Sequence, residues 1–188
     1  LGNCSYCITR FARGVLKSYQ EDELLNEFKS MLDSGVKEIL VTAQDTACYG
    51  RDIDTDLPTL LRRFLEFEGE YRIRIGMMNP NNLDRILDDL MDVMEDERVY
   101  RFLHIPVQSG SNSVLERMRR HYTVDRFMGI VNRLRERYPD ISIATDLITG
   151  FPGETDRDHE KSIKLIKDLH ADTVNITRFS PRPGTEAF

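Results

Sequence analysis

Five short apolar runs, KEILVTA, YRIRIGM, YRFLHIPV, ISIATDLI and TVNITRF, recur along the chain with amphipathic helical segments between them. Strand-like runs that alternate with helices demand a parallel sheet joined by right-handed crossovers. The helical segments carry their own signals. LLNEFKSML sets Leu24, Leu25, Phe28, Met31 and Leu32 on one face, and Gly35 follows as a stop. LPTLLRRFLEF has Pro58 near its start, where a missing N–H does least harm. NLDRILDDLMDVM shows an acidic outer face, and SVLERMRR, VDRFMGIVNRLRER and EKSIKLIKDL complete the set. The expected fold class is therefore α/β with parallel strands. A strand just upstream of Leu1 would make six, whereas a closed eightfold barrel takes about 250 residues. The expectation is an open partial (β/α)6 TIM-like barrel whose first strand is truncated or absent. Residues 1–188 read as one domain, with no linker, repeat or low-complexity stretch.

The loops after the strands, QDTACYGRD, MNPNN, QSGSNS, TGFPGET and SPRPGT, hold five of the eleven glycines and four of the seven prolines, set among small polar residues. Barrel-like α/β folds build their sites at this rim. The opening LGNCSYCITRFARG joins the same rim if a strand precedes it. CSYC, taken alone, fits half a zinc site, a redox dithiol, an iron–sulfur ligand pair or no site at all. A structural zinc site needs two further ligands. Cys48, His104, His121, His159 and His170 offer no second pair at ligand spacing. A redox dithiol usually opens a helix, and ITRFARG shows no helical face. Iron–sulfur ligation needs at least one more thiolate. Cys48 reads as a small loop residue, and the methionines sit mostly at core-facing positions.

Two other loops invite a ligand. TGFPGET offers glycine amides that a ligand can approach closely, or else Glu154 or Thr155 simply caps the next helix. QSGS offers small hydrogen-bonding groups, or else Ser111 caps a helix. Asp146 lies within a strand, where a carboxylate needs a ligand or a partner. Three cysteines, an odd number, argue against a disulfide scaffold and for a reducing compartment. No apolar run approaches bilayer length. A net charge of −6 exerts no global pull on nucleic acid, although basic residues cluster at Arg10 with Arg13, at Arg62 with Arg63, at residues 117–121, and at Arg133, Arg135 and Arg137.

Taken together, these motifs resemble the radical S-adenosylmethionine methylthiotransferase family. LGNCSYCITRFARG is similar to that family's cluster loop, Cys-x-x-x-Cys-x-x-Cys. Cys4 and Cys7 match its second and third cysteines, and the first falls on the residue before Leu1. TAQDTACYGRDI, LPTLL, RIGMMNP, RVYRFLHIPVQSGS, MRRHYT, IATDLITGFPGET and FSPRPGT follow in the family's order. GRDI, RIGMMNP and FLHIPVQS resemble the archaeal and eukaryotic branch, which converts N6-threonylcarbamoyladenosine beside the tRNA anticodon to its 2-methylthio form. Related branches act on isopentenyladenosine or on a ribosomal-protein aspartate.

The resemblance implies a catalytic domain in which Cys4 and Cys7 help hold a [4Fe–4S] cluster with one iron open to S-adenosylmethionine. It implies that Tyr6 lies over the adenine, that Gln44 and Asp45 line the methionine end, and that Gln108 and Ser109 stand near ribose or methionine groups. By the same resemblance Arg120 meets the methionine carboxylate, and Asp146 with the turn Gly150, Phe151 and Gly153 borders ribose and adenine. Phe179, Arg182 and Thr185 would face substrate. An N-terminal domain with a second cluster and a C-terminal RNA-binding domain are expected outside this chain. The expected partners are tRNA and an electron-donor protein, in the cytoplasm and away from membranes. Without the first cysteine the span is expected to be inactive alone, and a cluster-less binding module is the contrasting reading.

Overall fold

A computed structural model describes residues 2–188, so Leu1 and the expected strand and cysteine before it lie outside the described residues. The chain forms α1 (Thr9–Arg13), α2 (Glu21–Asp33), β1 (Glu38–Val41), α3 (Leu57–Leu65), β2 (Arg72–Ile75) and α4 (Pro80–Val93). It continues with β3 (Phe102–His104), α5 (Asn112–Arg117), α6 (Val124–Arg137), β4 (Ser142–Thr149), α7 (Asp156–Leu169) and β5 (Thr173–Arg178). Strand β1 pairs in parallel with β2, and β3, β4 and β5 pair in parallel in that order. The two sheets join where Ile73 bridges Val99 and the Met78 amide donates to the His104 carbonyl at 2.9 Å. Spatial order thus equals chain order. That is the signature of a β/α barrel, since doubly wound sheets reverse direction partway. Among the described residues β5 does not pair with β1, so the barrel is partial.

Strand alternation sorts the side chains by face. Ile73 and Ile75 are buried while Arg72 and Arg74 on the same strand are exposed. Ile39, Ile73, Ile75, Leu103, Ile143 and Leu147 point outward into one core with Leu60, Leu61, Leu83, Leu87, Phe127 and Leu165 from the helices. The inner face keeps Arg74, His104, Asp146 and Asn175 accessible. Helix starts follow their local chemistry. Asp56 accepts from the Thr59 amide at 2.9 Å, and Thr155 forms a capping box with Asp158. Gly35, at φ +82°, ends α2 as the sequence indicates.

Two readings need correction. ITRFARG does contain a helix, α1, but one of five residues. So short a turn spans too few residues for a helical period to register. Ser111 precedes α5 without capping it, because its hydroxyl is spent on the Asp158 carboxylate. Three of the four α6 arginines pair with acids, and Arg135 donates to the Leu169 and His170 carbonyls. Arg126 pairs with Asp84 at 2.6 Å, Arg133 with Asp88, and Arg137 with Asp92 at 2.7 Å and with Glu95, all acids on or just beyond α4. Each exposed pair contributes at most about 1 kcal/mol, but the ladder cancels the charge.

Asp158 ties the α7 start to the loop before α5. Ser111, Thr155 and Lys161 all donate to it, and they hold its carboxyl well below the usual carboxylate range. A lowered folded-state value means stability that is fully present above the unfolded carboxylate range and is lost as pH falls. Asp96 and Asp146 are shifted in the same direction. Thermal melts are therefore expected to be flat from neutral pH down to about 5 and to drop steeply below about 4. Asp158→Asn should lower the neutral-pH midpoint and flatten that slope, and an unchanged slope would contradict this assignment.

Candidate active site

The two cysteines stand on a tight turn, with the Cys7 amide donating to the Cys4 carbonyl at 3.3 Å. Ser5 anchors that turn between two segments. Its amide donates to the Met118 carbonyl at 3.1 Å and its hydroxyl to the Arg117 carbonyl at 2.7 Å. From the other side the Ala187 amide donates to the Ser5 carbonyl at 3.0 Å. Cys4 and Cys7, both half-buried free thiols, open onto a cavity of about 400 Å³ that Phe11, Arg119 and Thr185 also line. Across it Arg119 pairs with Glu186.

Arg120 is the electrostatic centre. Burial opposes its charge, yet Tyr122, Tyr6, Cys4 and Asp45 face it and more than offset that cost, so its pKa lies above the ordinary arginine value. Its guanidinium sits 5.7 Å from the Tyr122 ring centroid. Burial, only partly countered by Arg120, pushes the Tyr122 phenol up to about 12. That hydroxyl is spent on the Val107 carbonyl at 2.9 Å. The Arg120 Nε is buried without a hydrogen-bond partner. A permanently charged group with a spare buried donor is a receptor for an anion such as a carboxylate.

An aromatic row lies beside it. The Tyr6 and Phe151 rings meet edge to face at 6.0 Å, and Phe151 meets Phe179 likewise at 5.2 Å. Val114 and Met118 close the back of this cluster. Burial raises the Tyr6 phenol well above its usual range, so Tyr6 presents a neutral ring. Such a row suits a flat aromatic group.

The remaining residues divide by what they touch. Asp146 does find its partners. His104 Nε2 lies 2.8 Å from its Oδ1 and Asn175 Nδ2 donates to that oxygen at 2.9 Å. Burial favours protonation of Asp146, but those two hydrogen bonds and the charge of Arg120 hold the carboxyl below its usual range. Gln108, with φ +71°, extends the β4 ladder through its backbone. Gln44 stands half-buried after β1. Asp45 is saturated: it accepts from the Asn79 amide at 3.1 Å, from Asn82 Nδ2 at 2.7 Å and from Cys48 Sγ at 3.4 Å. The Cys48 thiol, pushed up to about 11 by burial and then by Asp45, stays protonated in this network. Ser109 turns onto α7, 3.5 Å from the Ser162 hydroxyl. Glu154 accepts from the Gly150 and Phe151 amides, which the sequence offers as ligand donors. Gly153 faces Arg117, whose Nη2 donates to its carbonyl at 2.9 Å. Arg182 is exposed, and its carbonyl accepts from the Thr185 hydroxyl at 2.7 Å.

Nothing in the sequence marks Asn82, Asn175 or Arg119 as site residues, because each gains its meaning from a loop distant in the chain. His104 differs, since a histidine in a strand that also neighbours one bearing a carboxylate could have been paired with Asp146 by register.

Parallel strands in chain order, helices outside and a thiol pair at the C-terminal rim define a partial β/α barrel with a cysteine-bearing loop at its mouth. The Radical SAM superfamily profile matches residues 1–166, and the chain belongs to that superfamily. It is 50% identical over 187 residues to a probable threonylcarbamoyladenosine tRNA methylthiotransferase of Pyrococcus abyssi, covering 100% of this chain and 44% of that protein. It is 48% identical to threonylcarbamoyladenosine tRNA methylthiotransferase of Mus musculus, covering 100% of this chain and 32% of that one. The chain thus spans less than half the length of these relatives. Among solved structures, coproporphyrinogen III oxidase of Escherichia coli superposes with a TM-score of 0.63 at 19% identity, over 96% of this chain and 41% of its own. Methylornithine synthase superposes at 0.61 and 18%, over 99% and 52%. At those identities the likeness establishes the fold.

Membership of the superfamily implies a [4Fe–4S] cluster and S-adenosylmethionine. The residues present fit both. Two accessible thiols share one cavity, a buried cation with an unspent donor faces Cys4, and an aromatic row adjoins them. Thiolates suit iron–sulfur ligation. Among the described residues no group of three metal-binding side chains occurs.

Proposed function

We propose that this chain is the catalytic domain of a tRNA methylthiotransferase that converts N6-threonylcarbamoyladenosine beside the anticodon to its 2-methylthio derivative. The observation that carries this reading is identity at about half of all positions, across the entire chain, with archaeal and vertebrate proteins bearing that name. In this reading Cys4 and Cys7 hold the cluster, which when bound supplies the electron that cleaves S-adenosylmethionine. Arg120 fixes the methionine carboxylate through its spare Nε. Tyr6 and Phe151 enclose the adenine, and Asp146, kept ionised by His104 and Asn175, accepts from the ribose. Gln44, Gln108 and Gly150 border the same ligand, while Asp45 and Ser109 shape the loops that carry it. Phe179, Arg182 and Thr185 edge the substrate side of the cavity. A second cluster and the main RNA-binding surface belong to other parts of the full-length protein. The electron comes from a donor protein, and the setting is the reducing cytoplasm.

Mass spectrometry of tRNA nucleosides tests the reading, after incubation with the reconstituted full-length protein, S-adenosylmethionine and a reductant. The expected product is the 2-methylthio derivative of N6-threonylcarbamoyladenosine. Modification of isopentenyladenosine alone, or of a protein aspartate, would contradict it. Tyr6→Ala is expected to weaken S-adenosylmethionine binding about tenfold, as loss of one aromatic contact and its buried area implies, with iron content retained. Equal loss of both would remove Tyr6 from the adenine site.

A further inference from the structure

The basic clusters look alike in sequence, and the structure separates them. Arg62 pairs with Asp89, Arg63 with Glu21 and Glu66, and Arg119 with Glu186, while Arg126, Arg133 and Arg137 of α6 are paired with acids on or just beyond α4. Residues 2–20 differ: they contain Arg10, Arg13 and Lys17 and no aspartate or glutamate. This stretch also exposes aromatic surface, with Phe11 at 58% and Tyr19 at 72%. It is nonetheless held in place. Ser18 donates twice to Asp52, at 2.9 and 2.6 Å, and the Tyr49 hydroxyl donates to the Tyr19 carbonyl at 3.2 Å. Asp52, a carboxylate that touches the stretch, is thereby engaged, and Glu186 beside the cavity is taken by Arg119. Phe11 lines the cavity of Cys4 and Cys7, so the stretch runs outward from the mouth of the site.

We infer that residues 11–19 form a landing platform for the single-stranded RNA that flanks the reacting base. This rests on the proposed tRNA substrate. Unpaired bases stack on exposed aromatic rings whatever their sequence, and phosphates seek cations that no carboxylate neutralises. Tyr19 supplies a stacking face, and Arg13 and Lys17 supply the cations. An acidic redox protein could use the same charges, but exposed rings leading into the substrate cavity favour RNA.

The test uses the full-length protein, a labelled anticodon stem-loop and fluorescence anisotropy across a salt series. Arg13→Gln with Lys17→Gln should reduce the slope of log affinity against log salt by about 1.4, two phosphates at about 0.7 each. Tyr19→Ala should weaken binding about tenfold. Iron content and S-adenosylmethionine binding, measured alongside, should match wild type and exclude misfolding. Unchanged affinity and slope in both variants, with wild type still forming the methylthio nucleoside, would overturn the platform and leave the proposed function standing. A wild type that neither binds the stem-loop nor forms that product would overturn both. Slower cluster reduction by an acidic donor protein, with RNA affinity unaltered, would reassign the surface and also overturn the platform.

Discussion

Gly110→Ala is expected to destabilise the domain by about 3 kcal/mol, a large share of the stability of a marginally stable chain. A Cβ at this position would lie 2.5 Å from the Lys161 carbonyl oxygen and 2.5 Å from the Ser162 Cα. Both are backbone atoms of α7, so no flexible side chain can move aside. The same loop donates the Gly110 amide to the Ser162 hydroxyl at 2.9 Å, and outward movement would break that bond too. Gly129 gives the contrast. It lies inside α6, and a methyl group there would meet nothing within 4 Å. Gly129→Ala should stabilise by about 0.5–1 kcal/mol, since alanine restricts the unfolded chain and favours helix. Urea melts of the two variants check both signs, and a Gly110→Ala protein within about 1 kcal/mol of wild type would show that α7 packs less closely on this loop.

The second large effect concerns the thiols. Cys4→Ala with Cys7→Ala should lower the iron and sulfide bound after anaerobic reconstitution of the full-length protein by about one [4Fe–4S] cluster per chain, because the loop then loses two thiolates. Cys48→Ala should leave the iron content unchanged, since its buried thiol is engaged by Asp45 and Asn82 and faces away from the cavity chemistry. Iron content equal to that of wild type in the double variant would place the cluster elsewhere.

The period of the apolar residues made the barrel legible. Every strand and long helix recurs where alternation or a 3.6-residue repeat marked it, because one face of each element packs into the core. Elements too short to show a period were not legible, as α1 demonstrates. Nor could composition tell a neutralised arginine from one without an acidic partner among the described residues: Arg133, Arg137 and Arg13 read alike until α4 supplies its acids. The site was legible to the extent that a residue's role lies in its own loop. Cys4, Cys7 and Tyr6 share one turn, and Asp146 announced itself as a carboxylate in a strand. Ser109 and Glu154 were not legible in the same way. Their hydroxyl and carboxylate meet α7 and the Gly150 turn, and only folding decides whether a small polar group faces a ligand or its own backbone. Arg120 stood out only through resemblance, and its importance physically comes from burial beside Tyr6, Tyr122, Cys4 and Asp45.

Electron paramagnetic resonance of the reduced full-length protein, with and without S-adenosylmethionine, addresses the central assignment most directly. If Cys4 and Cys7 hold a cluster with an open iron facing Arg120, the spectrum changes on adding S-adenosylmethionine, and Arg120→Ala weakens that response. Stoichiometric zinc without iron, or a cluster signal indifferent to S-adenosylmethionine, would contradict it.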